Sequence, residues 1–346
     1  MTSSNQTQGA GNLQLQRSIA IASSLLLLVK FWAYYVTDSV AVLTDALESI
    51  VNVVAGFIGL YSLYVAAKPK DIDHPYGHGK AEFISAAVEG TMVLSAGVLI
   101  IYSAVQNFLY PVPIHQIDLG IYLVGGTAIV NWVLGYISLQ QGKKSNSVAL
   151  IASGKHLQTD TYSTVGIIIG LLAISFTGFV WIDGVVAVGF GLFIIYTGYK
   201  ILRVSLAGIM DEADMVLLEK MVDLLEKNRH DNWVDLHNLR VIKYGNVLHV
   251  DCHLTVPWYL NVHQAHAEVD ALGKLIRNSF GETLELFVHN DGCLYFQCHI
   301  CKKKDCPVRQ HDFKAVIDWS LDNALQNEKH GYRNLIKEQS EGVSQQ

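Results

Sequence analysis

Six long runs of apolar residues occupy most of the first 210 positions of this 346-residue chain. Each run has roughly the 20 residues that a helix needs to cross the hydrocarbon layer of a membrane. The runs lie near residues 18–36, 40–66, 83–109, 118–139, 148–176 and 180–202. Buried helices of a soluble protein are the alternative, but six such runs with short connections exceed any soluble core. The pattern predicts an all-α bundle of six transmembrane helices over residues 18–210, preceded by a polar N-terminal tail over residues 1–17.

Basic residues are unevenly divided among the connections between these runs. One set of connections carries all of them, namely Arg17, Lys68, Lys70, Lys80, Lys143, Lys144, Lys155, Lys200 and Arg203. The alternate set, residues 37–39, 110–118 and 177–181, contains no Lys or Arg. Because basic loops stay on the cytoplasmic side, this asymmetry predicts that both termini are cytoplasmic. We expect an integral protein of the cytoplasmic (inner) membrane, with the lipid bilayer as its surroundings.

The composition changes after residue 210 to that of a small soluble domain. The spacing of apolar residues predicts, in order, a helix over 212–229, strands over 234–244 and 247–256, a helix over 262–279 and a strand over 283–288. A Gly-Asn pair between the first two strands is a hairpin signal. The sequence therefore predicts a cytoplasmic α+β domain of order αββαβ over residues 211–292. A cysteine cluster over 293–306 and a polar C-terminal tail over 307–346, disordered from about 326, follow it.

Polar residues at helical spacing interrupt two of the apolar runs. His156 and Asp160 are four residues apart in the fifth run, so they share one helix face. Asp45, Glu48 and Asn52 form a similar stripe in the second run. Ionisable groups inside a bilayer are costly and usually mark a functional site. These two faces indicate a metal ion held in the membrane; a polar network that only joins the helices is the alternative.

Several motifs in this chain resemble those of the cation diffusion facilitator family, whose members move divalent transition metals. They are SVAVLTDALESIVN, DIDHPYGHGKAE and HLQTD in the membrane part, and LHNL, DCHL and FVHND in the soluble part. The resemblance covers roughly residues 18–292. It implies a homodimeric antiporter that exchanges divalent metal for protons and a metallochaperone-like soluble domain.

The resemblance implies a transport site with two residues from the second helix and two from the fifth. These positions fall on Glu48, Asn52, His156 and Asp160. Many members carry a carboxylate where this chain has Asn52, so the site here has two carboxylates rather than three; Asp45, one turn before Glu48, is a further candidate. One imidazole with several oxygens suits zinc, cobalt, iron or cadmium better than calcium or magnesium. We expect Zn²⁺ or a similar metal as substrate.

Two further metal sites are implied by the same resemblance. The loop after the second helix offers Asp71, His74 and His78, with a solvated polar turn as the alternative reading. The soluble domain offers a second set, His237, His253, His266, His289 and Asp291. We expect this cytoplasmic site to stabilise the dimer or to sense metal, although strand histidines are often ordinary surface residues.

Four of the five cysteines crowd into 14 residues beyond the part of the chain that the resemblance covers. They are Cys293, Cys298, Cys301 and Cys306. The C-x2-C spacing of the middle pair lets two thiolates reach one ion, which favours a structural zinc site. An iron–sulfur site and free or reversibly oxidised thiols are the alternatives. Cys252, on a predicted strand, is expected to pack in the core.

The sequence as a whole predicts a transporter rather than an enzyme. The net charge of −6 argues against nucleic acid as a partner. The chain has no HExxH helix and no nucleophile motif, which argues against a membrane metalloenzyme. We expect efflux of a divalent transition metal from the cytoplasm in exchange for protons, with a membrane metal sensor or a membrane metalloenzyme as the alternatives.

Overall fold

A computed structural model describes residues 2–37, 40–109, 117–177, 181–244, 247–281 and 284–334. The chain divides into two compact units between Met210 and Asp211. The expected turn at 245–246 lies outside the described residues.

The first unit consists of long helices that follow the apolar runs. They are α1 (Thr2–Thr37), α2 (Val40–Ala66), α3 (Ala81–Leu109), α4 (Ile117–Ser145), α5 (Val148–Thr177) and α6 (Trp181–Ile209). Within the described residues, Gly11–Trp32, Ala81–Gln106 and Gly191–Ile209 are long and apolar enough to cross a membrane. Large apolar side chains such as Leu28 and Leu99 are exposed, as expected for surfaces that face lipid. The predicted membrane bundle is confirmed.

Glycines allow two pairs of these helices to approach very closely. A Cβ atom at Gly198 of α6 would lie 2.6 Å from the backbone N of Leu94 in α3, and one at Gly90 would lie 2.7 Å from the backbone N of Leu202. On the α4–α5 contact, a Cβ at Gly154 would lie 2.8 Å from the backbone of Leu139. Small residues at such contacts replace the hydrophobic driving force that lipid does not supply.

Helix α1 begins at Thr2, so the polar segment predicted as a separate tail over residues 1–17 is helical. The physical reason is that its polar side chains find partners on other helices. Asn12 Nδ2 donates to Ser145 Oγ at 2.9 Å, and Gln16 Nε2 donates to Ser153 Oγ at 3.1 Å. Both Asn12 and Gln16 are buried. Paired in this way, polar residues extend the helix instead of ending it.

The second unit has the predicted αββαβ order, followed by two short helical turns. Its elements are α7 (Met215–Lys227), β1 (Asp235–Tyr244), β2 (Val247–Val256), α8 (Val262–Phe280), β3 (Leu284–Gly292), a 3₁₀ turn (Tyr295–His299) and α9 (Leu321–Ala324). The sheet order is β1-β2-β3. Strand β3 pairs parallel to β2 and places His289 opposite His253. Helix α8 connects these two parallel strands, as a parallel pair requires.

The core of the second unit also includes part of the predicted C-terminal tail. Ile317, Trp319 and Ala324 are buried. The Trp319 ring stacks on Trp233 with 6.5 Å between centroids, and the Arg229 guanidinium lies 4.2 Å from the Trp319 ring centroid. The prediction of a polar tail over 307–346, disordered from about 326, was therefore wrong for residues up to 334. The sequence did not reveal this packing, because a few isolated apolar residues do not change the average polarity of a segment. Residues 335–346 lie outside the described part.

Candidate metal centres

Helices α2 and α5 bring together three of the predicted transport-site residues. Asn52 Nδ2 donates a hydrogen bond to Asp160 Oδ2. His156, one turn before Asp160, is buried. Among the described residues, neither ring nitrogen of His156 nor the Asn52 Oδ1 atom has a hydrogen-bond partner. A buried polar atom without a partner costs free energy, so these atoms are suited to receive a ligand. The side chains of Asp45 and Glu48 lie outside the described residues.

Two buried glutamates of α3 contact α5 and were not singled out from the sequence. Ser153 Oγ donates to Glu89 Oε1 at 2.9 Å, and Ser147 Oγ donates to Glu82 Oε2 at 2.5 Å. Ser153 precedes His156 by three residues and also accepts from Gln16, so the Gln16–Ser153–Glu89 group joins α1, α5 and α3. The sequence signal that could have identified Glu82 and Glu89 was the same as for Asp160, namely an acidic residue within an apolar run.

The loop after α2 brings its three predicted ligands into one group. Asp71 Oδ1 lies 2.9 Å from His74 Nδ1, and Asp71 Oδ2 lies 3.4 Å from His78 Nε2. One ligand atom from each residue lies within 4.8 Å of the others. Limited desolvation raises the pKa of Asp71, but hydrogen bonds from His74 lower it below its ordinary value overall. A carboxylate between two imidazoles is a donor set for a divalent transition metal.

Three neighbouring strands supply a second group in the soluble unit. Asp291 Oδ2 on β3 lies 3.2 Å from His253 Nδ1 on β2 and 3.6 Å from His237 Nε2 on β1. Their ligand atoms also lie within 4.8 Å of one another. Asp291 is partly buried and His237 is buried. One carboxylate oxygen thus faces two imidazoles, the geometry expected around a single ion.

The other two histidines predicted for this site lie at its edge. The His289 side chain is exposed, with its Nε2 atom 3.7 Å from Asp291 Oδ1. His266 on α8 is exposed and has its carboxylate neighbour, Asp270, on the same helix at 3.8 Å. His253, His266 and His289 line one open pocket of about 620 Å³. Of the five residues predicted for this site, the structure brings His237, His253 and Asp291 together and leaves His266 and His289 outside the compact group.

A C-terminal segment contributes charged residues to this group that the sequence did not reveal. Lys329 Nζ lies 2.9 Å from Asp291 Oδ1. His330 Nδ1 lies 2.7 Å from Asp235 Oδ1, and Asp235 Oδ2 lies 3.5 Å from His237 Nδ1. Burial raises the pKa of Asp235, but the contacts with His237 and His330 lower it well below its usual range. Burial likewise raises the pKa of Asp291, and its bond with Lys329 lowers it overall.

The four clustered cysteines are free thiols. Burial raises the pKa of Cys293 and Cys301, and the neighbouring cysteines raise both further. Within the part of the chain that the structure describes, the four cysteines do not form a group with all ligand atoms within 4.8 Å of one another. Cys252 is buried in the core, as predicted, and burial raises its pKa to about 12.

Two family models match this chain and together cover most of it. A cation efflux transmembrane domain matches residues 17–210, and a cation efflux protein cytoplasmic domain matches residues 214–293. An uncharacterized transporter of Synechocystis is 34% identical over 244 residues, which are 70% of this chain and 79% of that protein. The cation-efflux pump FieF of Salmonella choleraesuis is 27% identical over 298 residues, 84% of this chain and 95% of the pump.

Proposed function

The chain belongs to the cation diffusion facilitator family of membrane transporters, which carry divalent metals, and from this premise we propose that it exports Zn²⁺ or a similar divalent transition metal from the cytoplasm in exchange for protons. The observation that carries the proposal is the buried group on α2 and α5. There, Asn52 bonds Asp160 while both ring nitrogens of His156 lack partners among the described residues.

The proposed transport site consists of Glu48, Asn52, His156 and Asp160. Four such donors match the tetrahedral coordination that zinc prefers. Because imidazole must be neutral to bind metal, protons and metal compete for His156. A site that opens alternately to the two sides of the membrane would therefore release metal where protons are abundant and reload where they are scarce.

The proposed metal follows from the donor set. One nitrogen and several oxygens favour zinc, cobalt, iron or cadmium over magnesium and calcium, which prefer oxygen alone. The relative from Salmonella choleraesuis is named a cation-efflux pump, which supports efflux without selecting the ion. With Asn52 in place of a carboxylate, the site would carry less negative charge, so we expect metal preference to depend on this position.

The two groups of ligands outside the bundle are proposed as auxiliary sites. Asp71, His74 and His78 would bind one ion in the loop, and His237, His253 and Asp291 would bind another in the soluble domain, with His266 and His289 at its edge. The cytoplasmic-domain match supports a homodimer. The basic connections support an inner-membrane location with both termini in the cytoplasm.

Metal flux into sealed proteoliposomes with an imposed pH gradient tests the proposed function. We expect zinc uptake that collapses with the gradient and is lost in His156→Ala and in Asp160→Ala. His263→Ala, which removes an exposed histidine of the soluble unit, is the matched control and should transport normally.

Each alternative function predicts a different result in this assay. A metal sensor would bind zinc without transporting it across the membrane. A metalloenzyme would bind zinc to the same extent with or without the pH gradient. Flux that persists in the His156→Ala, Asp160→Ala double variant would remove the assigned site.

A further inference from the structure

Residues 294–334 lie beyond both family-model matches, yet they pack against the soluble unit. The backbone N–H of Cys293 donates to the Val256 carbonyl at 2.9 Å, at the end of β2. Ile300 and Ile317 form a small buried cluster of their own. This C-terminal segment contains little regular structure, so few backbone hydrogen bonds hold it in place, and small irregular segments of this kind usually need a cross-link or a metal.

The four cysteines are placed to supply that link. Cys298 lies in the 3₁₀ turn that Cys293 precedes, and Cys301 follows that turn. Cys301 is buried and the other three are partly buried. The backbone carbonyls of Cys298 and Cys301 both accept hydrogen bonds from the Arg309 guanidinium, which places the backbones of this pair close together.

Arg309 folds the chain between these cysteines into a tight loop. Its guanidinium donates to the carbonyl oxygens of Cys298 at 2.8 Å, Cys301 at 3.1 Å and Lys303 at 2.6 Å. A loop fixed in this way resembles the short knuckles that hold two thiolates on one ion.

We propose that Cys293, Cys298, Cys301 and Cys306 bind one structural Zn²⁺ that holds residues 294–334 against the soluble unit. Four thiolates form a closed tetrahedral site, which suits a resident ion rather than a transported one. Binding converts the thiols to thiolates and releases their protons to solvent, without any change in oxidation state. On the cytoplasmic side, where thiols are kept reduced, a disulfide is the less favoured link.

Cobalt substitution of the full-length protein in detergent tests this site separately from the transport site. Co²⁺ bound by thiolates gives a charge-transfer absorption that histidine and carboxylate ligands do not produce. We expect this band in the wild type, at one equivalent per chain, and its loss in the Cys298→Ser, Cys301→Ser double variant. Zinc measured by elemental analysis should fall by one equivalent in the same variant.

Two control variants separate this proposal from the others. Cys252→Ala removes the fifth cysteine, and His237→Ala with His253→Ala removes the imidazoles of the strand site; both should keep the thiolate band. Tryptic cleavage at the basic residues 302–304 should accelerate only in the Cys298→Ser, Cys301→Ser variant. A wild-type protein without the thiolate band, or one isolated with an iron–sulfur chromophore, would overturn the proposal whether or not the protein transports metal.

Discussion

The ammonium nitrogen of Lys329 lies 2.9 Å from Oδ1 of Asp291, while Oδ2 of the same carboxylate faces His253 at 3.2 Å and His237 at 3.6 Å. The carboxylate therefore has a cation on one side and the proposed metal position on the other. Because the positive charge of Lys329 offsets the negative charge of this proposed ligand, it weakens the attraction between Asp291 and a dication.

Lys329→Met is expected to tighten zinc binding at the strand site by about fivefold, or roughly 1 kcal/mol, because the charge pair is only partly screened. Zinc titration of the full-length protein, with the His253→Ala variant identifying the contribution of this site, measures the change. The control is Lys227→Met, which removes an equal charge from an exposed pair with Asp223. Unchanged or weaker binding in Lys329→Met would contradict the proposed competition.

Asp235→Asn is expected to weaken zinc binding at the strand site by about 10- to 100-fold, the usual effect of losing a group that orients a ligand. Asp235 lies 3.5 Å from His237 Nδ1, and it also accepts from the backbone N–H of His330 at 2.8 Å. The amide keeps the shape but removes the charge that orients the imidazole. The same zinc titration checks this, and an affinity equal to wild type would exclude an orienting role.

Asn52→Asp is expected to change which metal the protein transports. Asn52 donates to Asp160, whereas an aspartate would place a second carboxylate beside it. Two adjacent carboxylates repel each other, and a bound dication relieves this repulsion. Competition among zinc, cobalt, cadmium and iron in proteoliposomes with a pH gradient measures the preference. An identical preference in both proteins would mean that Asn52 does not contact the ion.

Gly198→Ala is expected to destabilise the membrane unit by about 1–3 kcal/mol, because the added methyl group would meet the backbone of α3 at 2.6 Å. Gly189→Ala on the same helix is the control, since no described atom lies within 4 Å of a Cβ at that position. Thermal unfolding in detergent, with size-exclusion chromatography as the readout, compares the melting temperatures of the two variants. Equal melting temperatures would show that the α3–α6 contact relaxes without cost.

The charge of Asp214 is expected to stabilise the soluble unit fully above about pH 4 and progressively less below it. Asp214 caps α7 by accepting from Leu217 N at 3.0 Å, and Lys243 Nζ lies 2.5 Å from its second oxygen. Desolvation raises the pKa of Asp214, but Lys243 lowers it overall. A lowered folded-state pKa means that the stabilising charge is fully present above the unfolded pKa of about 3.9 and is lost as pH falls through the folded value.

Two variants of Asp214 separate the contribution of helix capping to stability from the contribution of the charge. Asp214→Ala should cost about 1 kcal/mol at neutral pH, whereas Asp214→Asn keeps a capping oxygen and loses only the charge. Thermal unfolding of the full-length protein near pH 6 and near pH 3 measures both. The advantage of the wild type over the Asn variant should be full near pH 6 and smaller near pH 3; a constant difference would contradict the assigned pKa direction.

The parts of the fold and site that the sequence predicted are those encoded locally. Continuous apolar runs predicted the helices within a few residues at most boundaries, and alternation predicted all three strands. Asp71, His74 and His78 lie within eight residues of one another, so their proximity in the structure follows from local sequence. The strand group was found through the resemblance, whose motifs mark positions on separate strands.

The parts that were not predicted depend on contacts between distant residues. His330 meets Asp235 across a separation of 95 residues, and neither residue belongs to a recognisable motif. His266 was grouped with His253 through the resemblance, but its position on α8 leaves the side chain exposed, which the sequence alone does not reveal. Trp319 joins the core from a segment whose average composition is polar.

In the contact between Lys329 and Asp291, Asp291 is the proposed metal ligand and Lys329 is the residue that sets how strongly it would bind the metal. Lys329 belongs to a stretch outside the family-matched region, while Asp291 lies within it. A substitution at Lys329 alone would therefore change the affinity of the proposed strand site while leaving its proposed ligands in place.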